Sequence, residues 1–241
     1  MKAILCGANG AMGKLIDGIL GSQVTARVSL DGENGVARTF DDLAPNDANI
    51  IIDFSHHTAI ADVISYAKAH DCAVVVGTTG HTAEEKALIQ EAARELPVFF
   101  SGNMSLGIAV LCRLAKEAAK WFPDADIEIV EVHHNRKVDA PSGTAHMLFN
   151  AIAQVRPEAV ENCGRAGEGK RTKNEIGISS LRMGNVGGIH EVHICTGNQT
   201  LTLRHEAGNR GMLAEGAVEA ARFLLGKPNG LYNMDNLLEG K

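Results

Sequence analysis

The chain has 241 residues, 45% of them hydrophobic, and a formal charge of −6. That is enough apolar material for one large core or two modest ones, with no global electrostatic reason to bind nucleic acid or an anionic membrane. The opening MKAILCGANG has too short an apolar run for a signal peptide, and no stretch of about 20 apolar residues could span a bilayer, so a soluble cytoplasmic protein is expected.

The first hundred residues alternate short apolar runs with amphipathic stretches: KAILC then AMGKLIDGIL, VTARVSL, NIIIDF then TAIADVISYAKAH, CAVVVG then TAEEKALIQEAAREL, and PVFFS. Runs that apolar between helical patterns fit a parallel sheet covered on both faces, and the alternation predicts a Rossmann-like doubly wound α/β domain. Past residue 104 the rhythm changes. A long helical pattern, SLGIAVLCRLAKEAAKWF, precedes a strand, DIEIVEVHH, and a helix starting near Ser142. From about Glu175 the period-two runs NEIGISSLRMG, GIHEVHICTG and QTLTLRHEA predict antiparallel strands joined by turns at GNVGG and TGNQT. The expected organisation is a first domain over 1–104, completed by 212–241 with its helical GMLAEGAVEAARFLLGK, and an α+β domain over 105–211.

Five cysteines, at 6, 72, 112, 163 and 195, form no C-x-x-C pair. Cys6, Cys72 and Cys112 lie among aliphatic residues, and buried free thiols in a reducing compartment are expected.

Strand KAILC runs into Gly7, Ala8, Asn9, Gly10, Ala11, Met12 and Gly13, then a helix. Glycines there permit a tight turn and let the backbone approach a pyrophosphate at the helix N-terminus, so this segment is a candidate dinucleotide site. Asp31 follows about 20 residues later, where a carboxylate can bond the adenosine ribose hydroxyls. Gly32 and Glu33 come next. An acidic pair repels a ribose 2′-phosphate, so NADH is expected to serve at least as well as NADPH, with Arg38 the residue able to reverse this. Two further strand ends carry small polar loops, Gly77, Thr78 and Thr79, and Ser101, Gly102, Asn103 and Met104. Ligands of open α/β sheets sit outside such strand ends, which puts both loops over the nicotinamide side.

The segment HHNRKVDAPSGTA, 133–145, admits three readings: a charged turn, a metal site, or an anion site. Glu131 and His133 would share a strand face, but no second histidine cluster or cysteine set has zinc spacing, and HEVH at 190–193 is not H-E-x-x-H; no metal is expected. A charged turn accounts for Asn135, Arg136 and Asp139. Pro141, Ser142, Gly143 and Thr144 instead open a helix whose N–H groups can hold an anion, and His134 and Lys137 add donors. An anionic small substrate follows.

With those residues in view, the chain resembles the dihydrodipicolinate reductase family of the diaminopimelate route to lysine. The resemblance lies in GANGAMG, VVVGTTG, FFSGNMS, HHNRKVDAPSGTA and HEAGNRGMLAEGAVEAARFL, and covers nearly the whole chain. It implies reduction of 4-hydroxy-tetrahydrodipicolinate, a cyclic dicarboxylate, by NADH or NADPH. It further implies His133 as catalytic proton donor or acceptor, Lys137 as its partner donor, and His134 with the Gly143–Thr144 backbone on a substrate carboxylate. Gly7 to Met12, Asp31, Gly77 to Thr79 and Ser101 to Met104 match its dinucleotide-contacting segments. The family's middle domain binds substrate and builds a mixed sheet that assembles a homotetramer. Here the loop after the second strand is abbreviated, and Arg210 reads equally as a cofactor neighbour or a surface charge. Two other readings stay open: another nicotinamide-dependent reductase of an anionic amino-acid precursor, and a non-catalytic NAD(H)-sensing module.

Overall fold

The computed structural model describes residues 1–240 and divides into two compact units, Met1–Leu106 with the segment from Gly211 onward, and Gly107–Arg210. The first opens with β1 (Ala3–Cys6), α1 (Ala11–Leu20), β2 (Val24–Val28), β3 (Ile50–Asp53), α2 (Ile60–Ala69), β4 (Ala73–Val76), α3 (Ala83–Ala92) and β5 (Pro97–Phe100). The second comprises α4 (Leu106–Trp121), β6 (Asp126–His133), α5 (Gly143–Ala153), β7 (Val160–Cys163), β8 (Glu175–Arg182), β9 (Ile189–Cys195) and β10 (Thr200–Glu206). The chain then returns to the first with α6 (Gly211–Leu224), β11 (Gly230–Tyr232) and α7 (Met234–Glu239).

The first unit is the doubly wound parallel sheet expected, in the order β11-β5-β4-β3-β1-β2. Every residue of β1, β3 and β4 is buried because both faces are covered. On one face Ile4, Cys6, Ile51, Val74 and Val98 pack with Val63 of α2 and Ile89 of α3, each large side chain contributing about 1.5–3 kcal/mol. On the other, Phe99 meets Phe223 of α6 edge to face, with ring centroids 6.2 Å apart, and α6 also packs on α1. The short strand β11 carries no periodic apolar pattern and was not expected from the sequence.

The second unit holds a mixed sheet, β10-β9-β6-β8-β7, with β6, β7 and β8 parallel and β9 and β10 antiparallel to their neighbours. Ile127, Ile129, Ile176, Ile178, Val192 and Ile194 line the face covered by α4 and α5. One expectation is corrected here. TGNQT joins the antiparallel neighbours β9 and β10, but GNVGG joins β8 to β9, which flank β6 and do not pair. Period-two alternation reports a half-buried strand, not its neighbour. The cysteines are free thiols, with Cys6 and Cys72 buried but Cys112 only partly so, against the core of the second unit.

Candidate active site

In the first unit the glycine turn is shaped by close backbone approaches. Gly7 adopts φ +76°, and a Cβ there would lie 2.6 Å from the Phe54 carbonyl carbon. A Cβ on Gly13 would press on the Ala8 backbone at 2.7 Å. The Gly7 and Ala8 amides donate to the Val28 carbonyl at 2.9 and 3.2 Å, tying the turn to the end of β2. The N-cap of α1 is Gly10, which has no side chain to accept from the first-turn amides; those amides fit a pyrophosphate. Ala11 and Met12 open that helix. Asn9 Nδ2 donates to Asp31 Oδ1 at 2.6 Å, and this bond holds the exposed Asp31 carboxyl below its usual range.

Gly77, Thr78, Thr79, Gly102, Asn103 and Met104 come together with Met12 around a cavity of about 440 Å³. Ser101 is not in that lining; its hydroxyl donates to the Asn103 carbonyl at 2.8 Å and shapes the loop. The buried carboxylate Asp53 ends β3 beneath the first of these loops. It accepts from Thr78 Oγ1 at 2.7 Å and from the Ser55 amide at 3.1 Å, while burial pushes its pKa up. The Thr78 hydroxyl is therefore spent on Asp53, leaving its backbone as the group available to a dinucleotide. A cavity of about 770 Å³ lies at the ends of β1 and β2, walled by Arg38, Phe40, Tyr66 and His70. Phe40, Tyr66 and His70 form a continuous stack, and Arg38 lies over Gly32.

In the second unit, β6 delivers Glu131 and His133 to one face, with Glu131 fully buried. His133 Nδ1 lies 2.5 Å from Glu131 Oε2. Arg182, opposite His133 in the β6/β8 register, donates to both Glu131 oxygens at 2.9 and 2.8 Å. The Ser142 amide reaches Glu131 Oε1 at 3.2 Å. These partners outweigh burial and hold the Glu131 carboxyl down at about 2. His190, opposite Glu131 in the β6/β9 register, bonds Ser142 Oγ through Nε2 at 3.0 Å, and burial lowers its pKa to about 4.

The Ser142 hydroxyl also caps α5, whose first residues are Gly143 and Thr144. Lys137 follows in the loop after β6, its Nζ 2.8 and 2.9 Å from the two Asp139 oxygens; it is paired with Asp139 rather than bare. The Lys137 amide donates to the His134 carbonyl at 3.1 Å, closing a turn. Desolvation and the cations Arg136 and Lys137 lower the His134 pKa. Sequence reasoning missed Arg182, Ser142 as a cap shared with His190, and Glu131 outside a metal role. The signal available was the same-face spacing of Glu131 and His133; Arg182 and His190 needed the strand register.

A family model described as dihydrodipicolinate reductase, N-terminus, matches residues 1–104, and one described as dihydrodipicolinate reductase, C-terminus, matches residues 107–238. The chain is similar to 4-hydroxy-tetrahydrodipicolinate reductase from Caldanaerobacter subterraneus subsp. tengcongensis, with 42% identity over 99% of this chain and 98% of that one. It is 39% identical to the protein of the same name from Clostridium novyi, over 100% and 99% of the two chains. The counterpart from Rickettsia bellii is 41% identical over 95% and 91%. Among solved structures its fold is similar to that of dipicolinate-bound dihydrodipicolinate reductase from Paenisporosarcina sp. TG-14, with TM-score 0.75 and 23% identity over 98% of each chain.

Proposed function

The chain belongs to the dihydrodipicolinate reductase family, and from that premise we propose that it reduces 4-hydroxy-tetrahydrodipicolinate to tetrahydrodipicolinate in the diaminopimelate route to lysine. The observation that carries this reading is the full-length match, at 42% and 39% identity, to reductases of that name. The relative of like fold that holds dipicolinate binds a planar dicarboxylate, the charge pattern that suits the cations and helix start around His134.

The cofactor is a nicotinamide dinucleotide, which when bound supplies a hydride. Gly7 to Met12 hold its pyrophosphate, Asp31 its adenosine ribose, and Gly77 to Thr79 with Ser101 to Met104 its nicotinamide end. Asp31 and Glu33 favour NADH at least as much as NADPH. In the unit bearing residues 105–211, His134 and the Gly143 and Thr144 amides take a substrate carboxylate, His133 transfers a proton at Nε2, and Lys137 is the partner donor. Leaving Asp139 for the substrate frees the Lys137 ammonium for that task. The same unit assembles a homotetramer through its sheet, residues 1–104 with 212–241 carry the cofactor, and the enzyme works in the cytoplasm. No helix among the described residues is long and apolar enough to cross a membrane.

The test is to follow NADH and NADPH oxidation with substrate generated by the preceding aldolase. Turnover is expected with the wild type, and Lys137→Ala should lose kcat by roughly 10²–10⁴-fold with NADH affinity unchanged. No oxidation of either dinucleotide by the wild type would overturn the proposal. Equal losses of kcat and NADH affinity would remove Lys137 from its role.

A further inference from the structure

We propose that Glu131, gripped by Arg182, is a positioning residue that keeps the His133 proton on Nδ1 and leaves Nε2 as the atom that exchanges protons with substrate. The inference rests on His133 being the proton-transfer group of the reduction.

A carboxylate with no exposed surface survives only if its oxygens are paired. Glu131 meets that condition with two Arg182 bonds, the Ser142 amide and His133. With those partners it stays ionised at any working pH, and an ionised carboxylate can only accept. The Nδ1 of His133 must then be the donor in the 2.5 Å contact. Neutral His133 is confined to one tautomer, with its lone pair on Nε2, and the imidazolium has a fixed counter-ion. Glu131 cannot itself carry the transferred proton.

The Nε2 edge is kept open by a second feature. Gly188 lies beside it with φ +153°, where a Cβ would stand 3.0 Å from Nε2; a side chain at this position would crowd the reacting atom. The charged and titratable groups facing His133 come from each neighbouring element. Glu131 is on its own strand, Arg182 on β8, His190 on β9, and His134, Lys137 and Asp139 in the loop that follows. The His190 ring stands edge-on to His133 with centroids 5.1 Å apart, and burial keeps it neutral. Arg182 Nη2 also donates to the Asp139 carbonyl at 2.6 Å, so the group that holds Glu131 also anchors the loop bearing Lys137.

The decisive measurement on the wild-type full-length chain is the pair of imidazole ¹⁵N shifts of His133, assigned by their loss in His133→Gln. The neutral ring should be the Nδ1–H tautomer; an Nε2–H tautomer overturns the proposal. Glu131→Gln keeps the shape and removes the charge. It should lower kcat roughly 10- to 100-fold, leave the KM for NADH unchanged, and let the Nε2–H tautomer of His133 appear in the ¹⁵N shifts. Glu131→Asp should restore the Nδ1–H tautomer. Adding Glu131→Gln to His133→Gln should cost nothing more, because the two act as one unit. If His133→Gln loses kcat but Glu131→Gln keeps both rate and tautomer, the positioning role fails and His133 stands. If His133→Gln keeps full kcat, the reading of His133 fails and the inference with it. Should Glu131→Gln not fold, the wild-type tautomer decides.

Discussion

The first unit makes its candidate site from backbone, the second from side chains. Around Gly7 and Gly13 what matters is how closely main chains approach and which amides are left at the start of α1. Around His133 what matters is a set of polar groups from β6, β8, β9 and the α5 cap, converging on one buried carboxylate. A backbone site is written in one contiguous stretch. A side-chain site depends on strand register, where a slip of one residue would turn every member to the opposite face. The two should therefore fail differently when altered.

The largest expected effect comes from Gly13→Ala. The atoms nearest the added methyl are all Gly7 and Ala8 backbone, which cannot swing aside as a side chain can, so we expect a loss of about 3 kcal/mol with NADH binding abolished. Gly18→Ala, in the same helix with open space around it, should instead stabilise by about 0.5–1 kcal/mol. Thermal melts of the two variants check the contrast, and equal effects would break the claim that the turn is defined by contact rather than by helix propensity.

The second unit should be sensitive to pH where the first is sensitive to shape. Burial lowers the His190 pKa to about 4 in the folded chain, below its ordinary unfolded value. The unfolded chain thus takes up the proton first as pH falls, and stability is lost between about pH 6.5 and pH 4, by about 3 kcal/mol in all. The Glu131 carboxyl, held at about 2, is also lowered, but in favour of its charged form. Its contribution is present above about pH 4.5 and lost from there down towards pH 2. Hydrogen exchange of the β6 and β9 amides should show protection falling in the upper window. His190→Asn, which keeps a polar group near Ser142, should flatten that upper slope and leave the lower one. An unchanged upper slope would show that His190 is not the group responsible.

This difference between the units also explains what is legible in the sequence. The parallel sheet was legible because AILC, IIID and AVVV are apolar without alternation, as burial on both faces demands. The glycine turn was legible because its spacing and its place after a strand are local facts. Alternation exposed β8, β9 and β10 as strands but could not say that β6 inserts between β8 and β9. Arg182 and His190 were invisible as neighbours of Glu131 for that reason, since each owes its position to pairing across β6. The Asp53–Thr78 bond was hidden in the same way, joining the ends of β3 and β4.

The smallest expected effect tests whether Asp31 belongs to the ligand or to the fold. Its carboxylate accepts from Asn9 at 2.6 Å and from the Glu33 amide at 3.3 Å, which could be taken as structural. The group is exposed, and exposed polar pairs add little to stability because water competes for both partners. Asp31→Asn keeps the size, removes the charge and should leave the Tm where it is. If Asp31 bonds the adenosine ribose, that change should weaken NADH by roughly 10-fold and NADPH by less, since the lost charge also repelled a 2′-phosphate. Titration of the two dinucleotides into wild type and variant reads this as a ratio. A ratio that does not move would assign Asp31 to the turn alone and leave Arg38, lying over Gly32, as the residue that sets the preference.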